Sequence, residues 1–283
     1  MASKREGLVY GMPEPEYHAP KDELSSTGAK LLLQSPAKFK HVVIDGHRPH
    51  KDAWDLGTII HGLVLGTGWD VEELDYPDFR TNAAKEARDK ARDAGKIPVL
   101  KHKMTHPKQV AESVLAHPTA RGLLEAAGHP EVSAFGTCPE TGVRLRARFD
   151  RLPTDLDVAV DLKTVGKDGG AETSVFAREI FNFGYDVQAG QYVDTIKYAA
   201  GREVDFAFIA VETTAPYLVN VVTMTHDYLE MGRTKSMEAR RRYAHGMETG
   251  EWPGYSGDIK RVEPPMYAVY DFQDNYEERE MQI

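Results

Sequence analysis

Two aspartates and a lysine make up the most reactive grouping in this chain. Asp150 closes the alternating run 143–150, and after a turn containing Pro153 the run 156–163 carries Asp161 and Lys163. Joined as a hairpin, the two strands bring Asp150 and Asp161 side by side. The two-residue strand period then sets Asp161 and Lys163 on one face, separated by Leu162. Two carboxylates suit a hard divalent cation, Mg²⁺ or Mn²⁺ in its place, with the Leu162 carbonyl as a further oxygen ligand. A neighbouring ammonium can position a water or stabilise charge developing on a phosphate, so the trio is suited to phosphodiester hydrolysis. Read alone, Asp-Leu-Lys also describes a strand running into solvent with a surface ion pair.

The elements that must position these groups follow from periodicity. Strands are expected over 131–136, 143–150 and 156–163, then over 204–212 and 217–224. Helices are expected over 24–33, capped by Ser25 or Ser26, over 54–65 from Trp54, and over 81–95. Further helices fall within 108–127, broken near His117-Pro118, and over 174–183, 185–200 and 227–243. A sheet flanked by helices results, an α/β architecture. Residues 1–20 read as an irregular arm and 21–250 as the main domain. Residues 251–283 read as an aromatic, proline-bearing tail laid over the body or against another subunit.

Composition narrows the classes. The 283 residues are 41% hydrophobic and 28% charged, as in a soluble globular protein, with no apolar run of membrane-spanning length. The opening Met1–Glu6 segment has no apolar stretch and does not read as a signal peptide, so a cytoplasmic location is expected. One cysteine, Cys138, excludes an internal disulfide and an iron–sulfur cluster held by cysteines of one chain. The net charge of −9 argues against indiscriminate coating of nucleic acid, but an acidic metal cleft is compatible with it.

Other residues carry two readings each. Ser25, Ser26 and Lys30 at a helix start could receive a terminal phosphate, or simply cap the helix. Arg144, Arg146 and Arg148 share a strand face with Asp150, which suits Arg146 and Arg148 to phosphate contacts or to paired charges. Lys101, His102, Lys103 and His106 form a local basic patch. The glycines at 166, 169 and 170 lack the ending of a phosphate-binding loop.

Several blocks together resemble one superfamily. Gly57-Thr58-Ile59-Ile60-His61, Glu131, Arg146-Ala147-Arg148-Phe149-Asp150, Val160-Asp161-Leu162-Lys163-Thr164 and Gln188-Ala189-Gly190-Gln191-Tyr192 occur in the order found in PD-(D/E)xK nucleases. Within that superfamily the chain resembles the phage RecE-like and lambda-type 5′→3′ exonucleases and their RecB/Cas4 relatives. The resemblance spans most of 17–224 and implies a central mixed β-sheet flanked by helices. It further implies a catalytic set of Asp150, Asp161 and Lys163, with His61 and Glu131 near the metal. Gln188 would contact the lysine or DNA, and Tyr192 shares its helix face. Packed core roles are the alternatives for His61 and Tyr192, and a strand-edge carboxylate for Glu131.

By the same likeness the substrate is duplex DNA with a free end, digested processively to expose a 3′ strand for recombination by annealing. A ring-shaped homo-oligomer, an annealing partner and, for a phage protein, the host cytoplasm are implied with it. A RecB/Cas4-like endonuclease or single-strand exonuclease, a non-catalytic DNA-binding scaffold, and a small-molecule enzyme are the alternatives.

Overall fold

The computed structural model describes residues 5–19, 22–47, 56–67, 71–155 and 157–277. Trp54 and Leu156, the expected starts of a helix and a strand, lie outside them. The chain divides into two compact units, residues 1–252 and 253–283.

In chain order the first unit contains β1 (Gly7–Val9), α1 (Glu14–His18), α2 (Ser26–Gln34) and α3 (Pro36–Phe39), which runs into a π-turn. Then come α4 (Leu56–Leu65), β2 (Val71–Leu74), α5 (Asn82–Asp93), β3 (Ile97–Leu100), α6 (Thr105–Ala116) and α7 (Pro118–Glu125). The rest is β4 (Gly128–Thr137), β5 (Arg144–Pro153), β6 (Val158–Val165), α8 (Thr173–Asn182), α9 (Tyr185–Ala200), β7 (Asp205–Glu212), β8 (Val219–Thr223) and α10 (His226–Thr249). Among the described residues the second unit holds α11 (Met266–Phe272), which runs into a π-helical turn, with Tyr267, Tyr270 and Phe272 exposed.

Among the described residues six strands form a mixed sheet in the order β1-β4-β5-β6-β7-β8, in which β6 and β7 pair in parallel and the other neighbours antiparallel. The arm thus contributes an edge strand and a short helix, where sequence composition reads as irregular. A three-residue strand is too short to leave a periodic signal. The parallel pair β2–β3, crossed by α5, forms a separate small sheet.

Alternation assigns the faces. Val132, Ala134, Ala147, Phe149, Phe206 and Phe208 pack against α8 and α9 through Phe176, Ile180, Ala189, Tyr192 and Ile196. Val160, Leu162, Ile209 and Val211 pack on the other face against Ile60 and Val64 of α4 and Val110 and Val114 of α6. Each layer removes branched and aromatic side chains from water, at roughly 1.5–3 kcal/mol per fully buried large residue.

Helix α9 is buried along most of its length and crosses α10 at two glycines. A Cβ on Gly190 would stand 2.5 Å from the Arg233 amide nitrogen, and one on Gly232 would stand 2.1 Å from the Asp186 carbonyl oxygen. The backbones approach too closely there for any side chain. No helix among the described residues is long and apolar enough to cross a membrane.

Candidate active site

Strands β5 and β6 meet at the pair Arg151↔Val160 and then part. At the parting, the Leu162 N–H donates to Asp150 Oδ2 at 2.7 Å, so a side chain takes the place of a ladder partner. Asp150 is approached from α4 by His61, whose Nδ1 lies 3.4 Å from Oδ2. Asp161, two residues after Ala159, faces the α9 layer, where Gln188 Nε2 donates to its Oδ1 at 2.6 Å. The two carboxylates meet across the opened strands, each held by a different helical layer. The hairpin expected from the sequence therefore brings them together by splaying rather than by regular pairing.

Lys163 completes the group. Its Nζ lies 2.5 Å from Asp161 Oδ2, donates to Gln188 Oε1 at 3.1 Å and sits 4.6 Å from the centre of the Tyr185 ring. Gln188 thus donates to the carboxylate and accepts from the ammonium, a double task that suits a carboxamide. Burial pushes the Asp150 carboxyl up, and the Asp161 charge adds to it, giving a pKa of about 6. For Lys163 burial acts downward, but Asp161 and Asp150 outweigh it, so its pKa is raised and the ammonium stays charged.

These groups stand in a cleft of about 940 Å³. On one side the arm and β4 supply Tyr10, Pro13, His18, His129 and Glu131, and on the other α4 and its continuation supply Gly57, Thr58, His61, Gly62 and Thr67. Glu131 faces Asp150 in the strand register between Pro130↔Arg151 and Val132↔Phe149, with a left-handed φ of 55°. Such a backbone is unfavourable for a non-glycine residue and is retained where surroundings impose it. Its carboxylate is taken by Arg148, with Nε 2.6 Å and Nη2 2.5 Å from Oε2.

The remaining expected residues fall in different places. Arg148 lines the cleft and also donates to the Met12 carbonyl at 3.0 Å. Arg146 is 2% exposed and donates to the Tyr17 carbonyl at 2.9 Å, with its guanidinium 5.2 Å from the Tyr17 ring centre. Tyr192 lines the cleft with its ring packed on Phe149 and Phe206, and burial holds its phenol well above the ordinary pKa. Ser25 caps α2 by accepting from the Gly28 N–H, and Ser26 is buried. Lys30 is not among the residues lining the cleft; it donates to the Phe183 carbonyl at 3.3 Å, and its Nζ lies 5.7 Å from the centre of the Tyr185 ring. Tyr185, Tyr10 and His129 were not singled out by sequence pattern. Tyr185 precedes Gln188 by three residues on one helix, a spacing that places both on one face and could have found it.

Among the described residues no three His, Cys, Asp or Glu side chains converge into a metal cage, in keeping with the capture of Glu131 by Arg148. The donor set nevertheless fits a hard cation. Asp161 Oδ2 is buried and receives no well-directed hydrogen bond, although Lys163 pairs with it by charge. Two carboxylates with room for water and phosphate oxygens match the preference of Mg²⁺ for few protein ligands.

A mixed sheet between helical layers, with Asp150, Asp161 and Lys163 gathered at its parted central strands, is a PD-(D/E)xK-like fold. Residues 25–264 match the family described as a PDDEXK-like domain of unknown function (DUF3799), and the chain belongs to that family. No curated protein matches it. A structure of a candidate exonuclease from Eubacterium rectale superposes with a TM-score of 0.60 at 13% identity, covering 92% of this chain and 98% of that one. A phage-related exonuclease from Haemophilus somnus 129PT gives 0.35 at 10% identity, covering 83% and 99%. An alkaline exonuclease from Laribacter hongkongensis gives 0.27 at 11%, covering 68% and 91%.

Proposed function

We propose that this protein is a Mg²⁺-dependent deoxyribonuclease that digests one strand of linear duplex DNA from its 5′ end. The observation that carries the reading is the under-compensated carboxylate pair, Asp150 and Asp161, beside a lysine clamped by Gln188 at the base of an open cleft. Asp150 and Asp161 would hold the cation, with the Leu162 carbonyl and His61 beside them. A divalent cation bound there supplies Lewis-acid polarisation of a phosphoryl oxygen and lowers the pKa of water.

Lys163 positions the attacking water and balances charge that grows on the phosphate oxygens. Water adds to phosphorus and gives up a proton, the P–O3′ bond breaks, the released 5′-terminal nucleotide leaves with a protonated 3′-hydroxyl, and the new 5′-phosphate stays on the shortened strand. Gln188 keeps Asp161 and Lys163 in register without touching the reacting atoms. Arg148 can leave Glu131 for a DNA phosphate, and Lys30 adds positive charge behind Tyr185.

The 5′→3′ direction, a homo-oligomer threaded by duplex and an annealing partner rest on the resemblance in the order of motif blocks alone. Linear duplex labelled at either 5′ or 3′ end, incubated with Mg²⁺ or chelator, tests the reading. Mg²⁺-dependent release from 5′ ends, with closed circles intact, is expected. Cut circles would replace it with an endonuclease, and binding without cleavage under any divalent cation would leave a scaffold.

A further inference from the structure

The two walls of the cleft differ in chemistry. On the α4 side stand Gly57, Thr58, Gly62 and Thr67, small residues that let a backbone come close. On the arm side stand Tyr10 and His129, with rings 4.6 Å apart and tilted by 57°. Tyr10 is 53% exposed although it belongs to the cleft wall, and His129 is exposed as well. A tilt of this size opens the pair into a V, on whose faces a further planar ring can lie.

The pair is fixed relative to the chemistry. Val9, just before Tyr10, pairs with Ser133 of β4, and the Met12 carbonyl just after it accepts from Arg148, two residues from Asp150. Pro13 and Pro130 stiffen the flanking backbone. An aromatic platform that is already ordered loses little entropy when a ligand stacks on it.

We infer that Tyr10 and His129 form a nucleobase-stacking wall, so that the strand entering the site is unpaired there, with its bases toward the arm and its sugar-phosphate backbone toward α4. This deepens the nuclease reading and rests on it. Stacking on an aromatic face is tolerant of sequence, since every base offers a π-face, which suits an enzyme that digests whatever strand it meets. For duplex ends it requires the terminal pairs to open before cleavage.

The test uses the full-length protein in chelator, binding single strands that carry normal or abasic nucleotides over the terminal positions. Wild type should bind the normal strand about 5- to 150-fold more tightly than the abasic one, the range that one stacked base supplies. It should also quench 2-aminopurine placed at those positions. Tyr10→Ala and Tyr10→Leu should abolish the preference while Tyr10→Phe keeps it, with melting temperatures showing that each variant is folded. Equal losses on both strands, or no loss on either, overturn the stacking wall. Mg²⁺-dependent cleavage measured in parallel separates the two readings. Cleavage without base preference removes only the wall, base preference without cleavage removes only the nuclease, and neither binding nor cleavage removes both.

Discussion

Helix α9 serves two buried charged regions, and they are balanced in opposite ways. Toward α10, Asp194 sits between Arg233 Nε and Arg240 Nη1, each at 2.8 Å, while Asp186 accepts from Lys235 Nζ at 2.6 Å. Arg240 is 0% exposed and also reaches Ser236 Oγ, which in turn donates to Gln191. Glu230 also holds Arg233, so three carboxylates meet three cations there. Toward the sheet, Gln188 serves Asp161 and Lys163, and two carboxylates share one lysine with His61 nearby. Burial raises the Asp150 pKa, and the neighbouring Asp161 charge adds to it. A compensated acid ties helices together, whereas a charge deficit in an open cleft is a place for a cation.

The largest effects should separate these roles. Lys163→Ala and Asp161→Asn should each lower the cleavage rate about 10³-fold or more while the protein stays folded, as measured on end-labelled duplex. Asp194→Ala should do the reverse. It strands Arg240 without its partner and should cost about 3–5 kcal/mol in denaturant unfolding, while protein that remains folded keeps its turnover. A melting collapse in Lys163→Ala, or an inactive but stable Asp194→Ala, would erase the contrast.

Asp150→Asn sharpens the comparison through pH. A carboxyl whose folded pKa of about 6 exceeds its ordinary 3.8 holds its proton more readily when folded. Wild-type stability is therefore favoured at low pH and declines as pH rises from about 4 to about 6. In chelator, thermal melts should show that decline in wild type and a weaker one in Asp150→Asn. The variant should be the more stable protein at pH 7 and yet inactive with Mg²⁺. An asparagine oxygen can still accept from the Leu162 N–H, so the loss would trace to charge.

The sequence made one of these regions legible and hid the other. Asp150, Asp161 and Lys163 end apolar alternating runs, where a charge has no packing role and so stands out. Asp186, Asp194, Arg233 and Arg240 lie on helices rich in charge, and nothing in their spacing distinguishes buried partners from a solvated face. Arg144, Arg146 and Arg148 show the same limit. Alternation places them on one strand face, but only the fold reveals that Arg144 meets Asp22 and Glu23, and Arg148 meets Glu131. The left-handed backbone of Glu131 has no residue-type signal at all, because glycine is absent there.

Gln188→Ala should have a middling effect, about 10- to 100-fold in activity or in Mg²⁺ affinity, since it removes a support and leaves every reacting group present. Gln188→Glu adds a charge in place of the donor to Asp161, and should deepen the deficit and lose more. Measuring the Mg²⁺ dependence of each variant distinguishes lost metal affinity from lost rate. If both variants matched wild type, the clamp on Asp161 and Lys163 would have no part in activity.

The smallest expected effect belongs to Lys30, which feels both regions. Burial depresses its pKa to about 8, Lys163 adds to the depression, and Asp161 from one region and Asp186 from the other oppose it. Below that value it carries a proton and can attract a DNA phosphate. As pH rises through about 8 the charge is lost, and the attraction with it. Lys30→Ala should lower the salt dependence of DNA binding by about one ion at pH 7 and by almost nothing at pH 9. Because a depressed lysine is charged at some energetic cost in the folded state, the same variant should be slightly more stable at pH 7. An unchanged salt slope at pH 7 would make Lys30 a packing residue for Tyr185 and Phe183, and would leave Lys163 of β6 as the cation beside α9 that meets DNA.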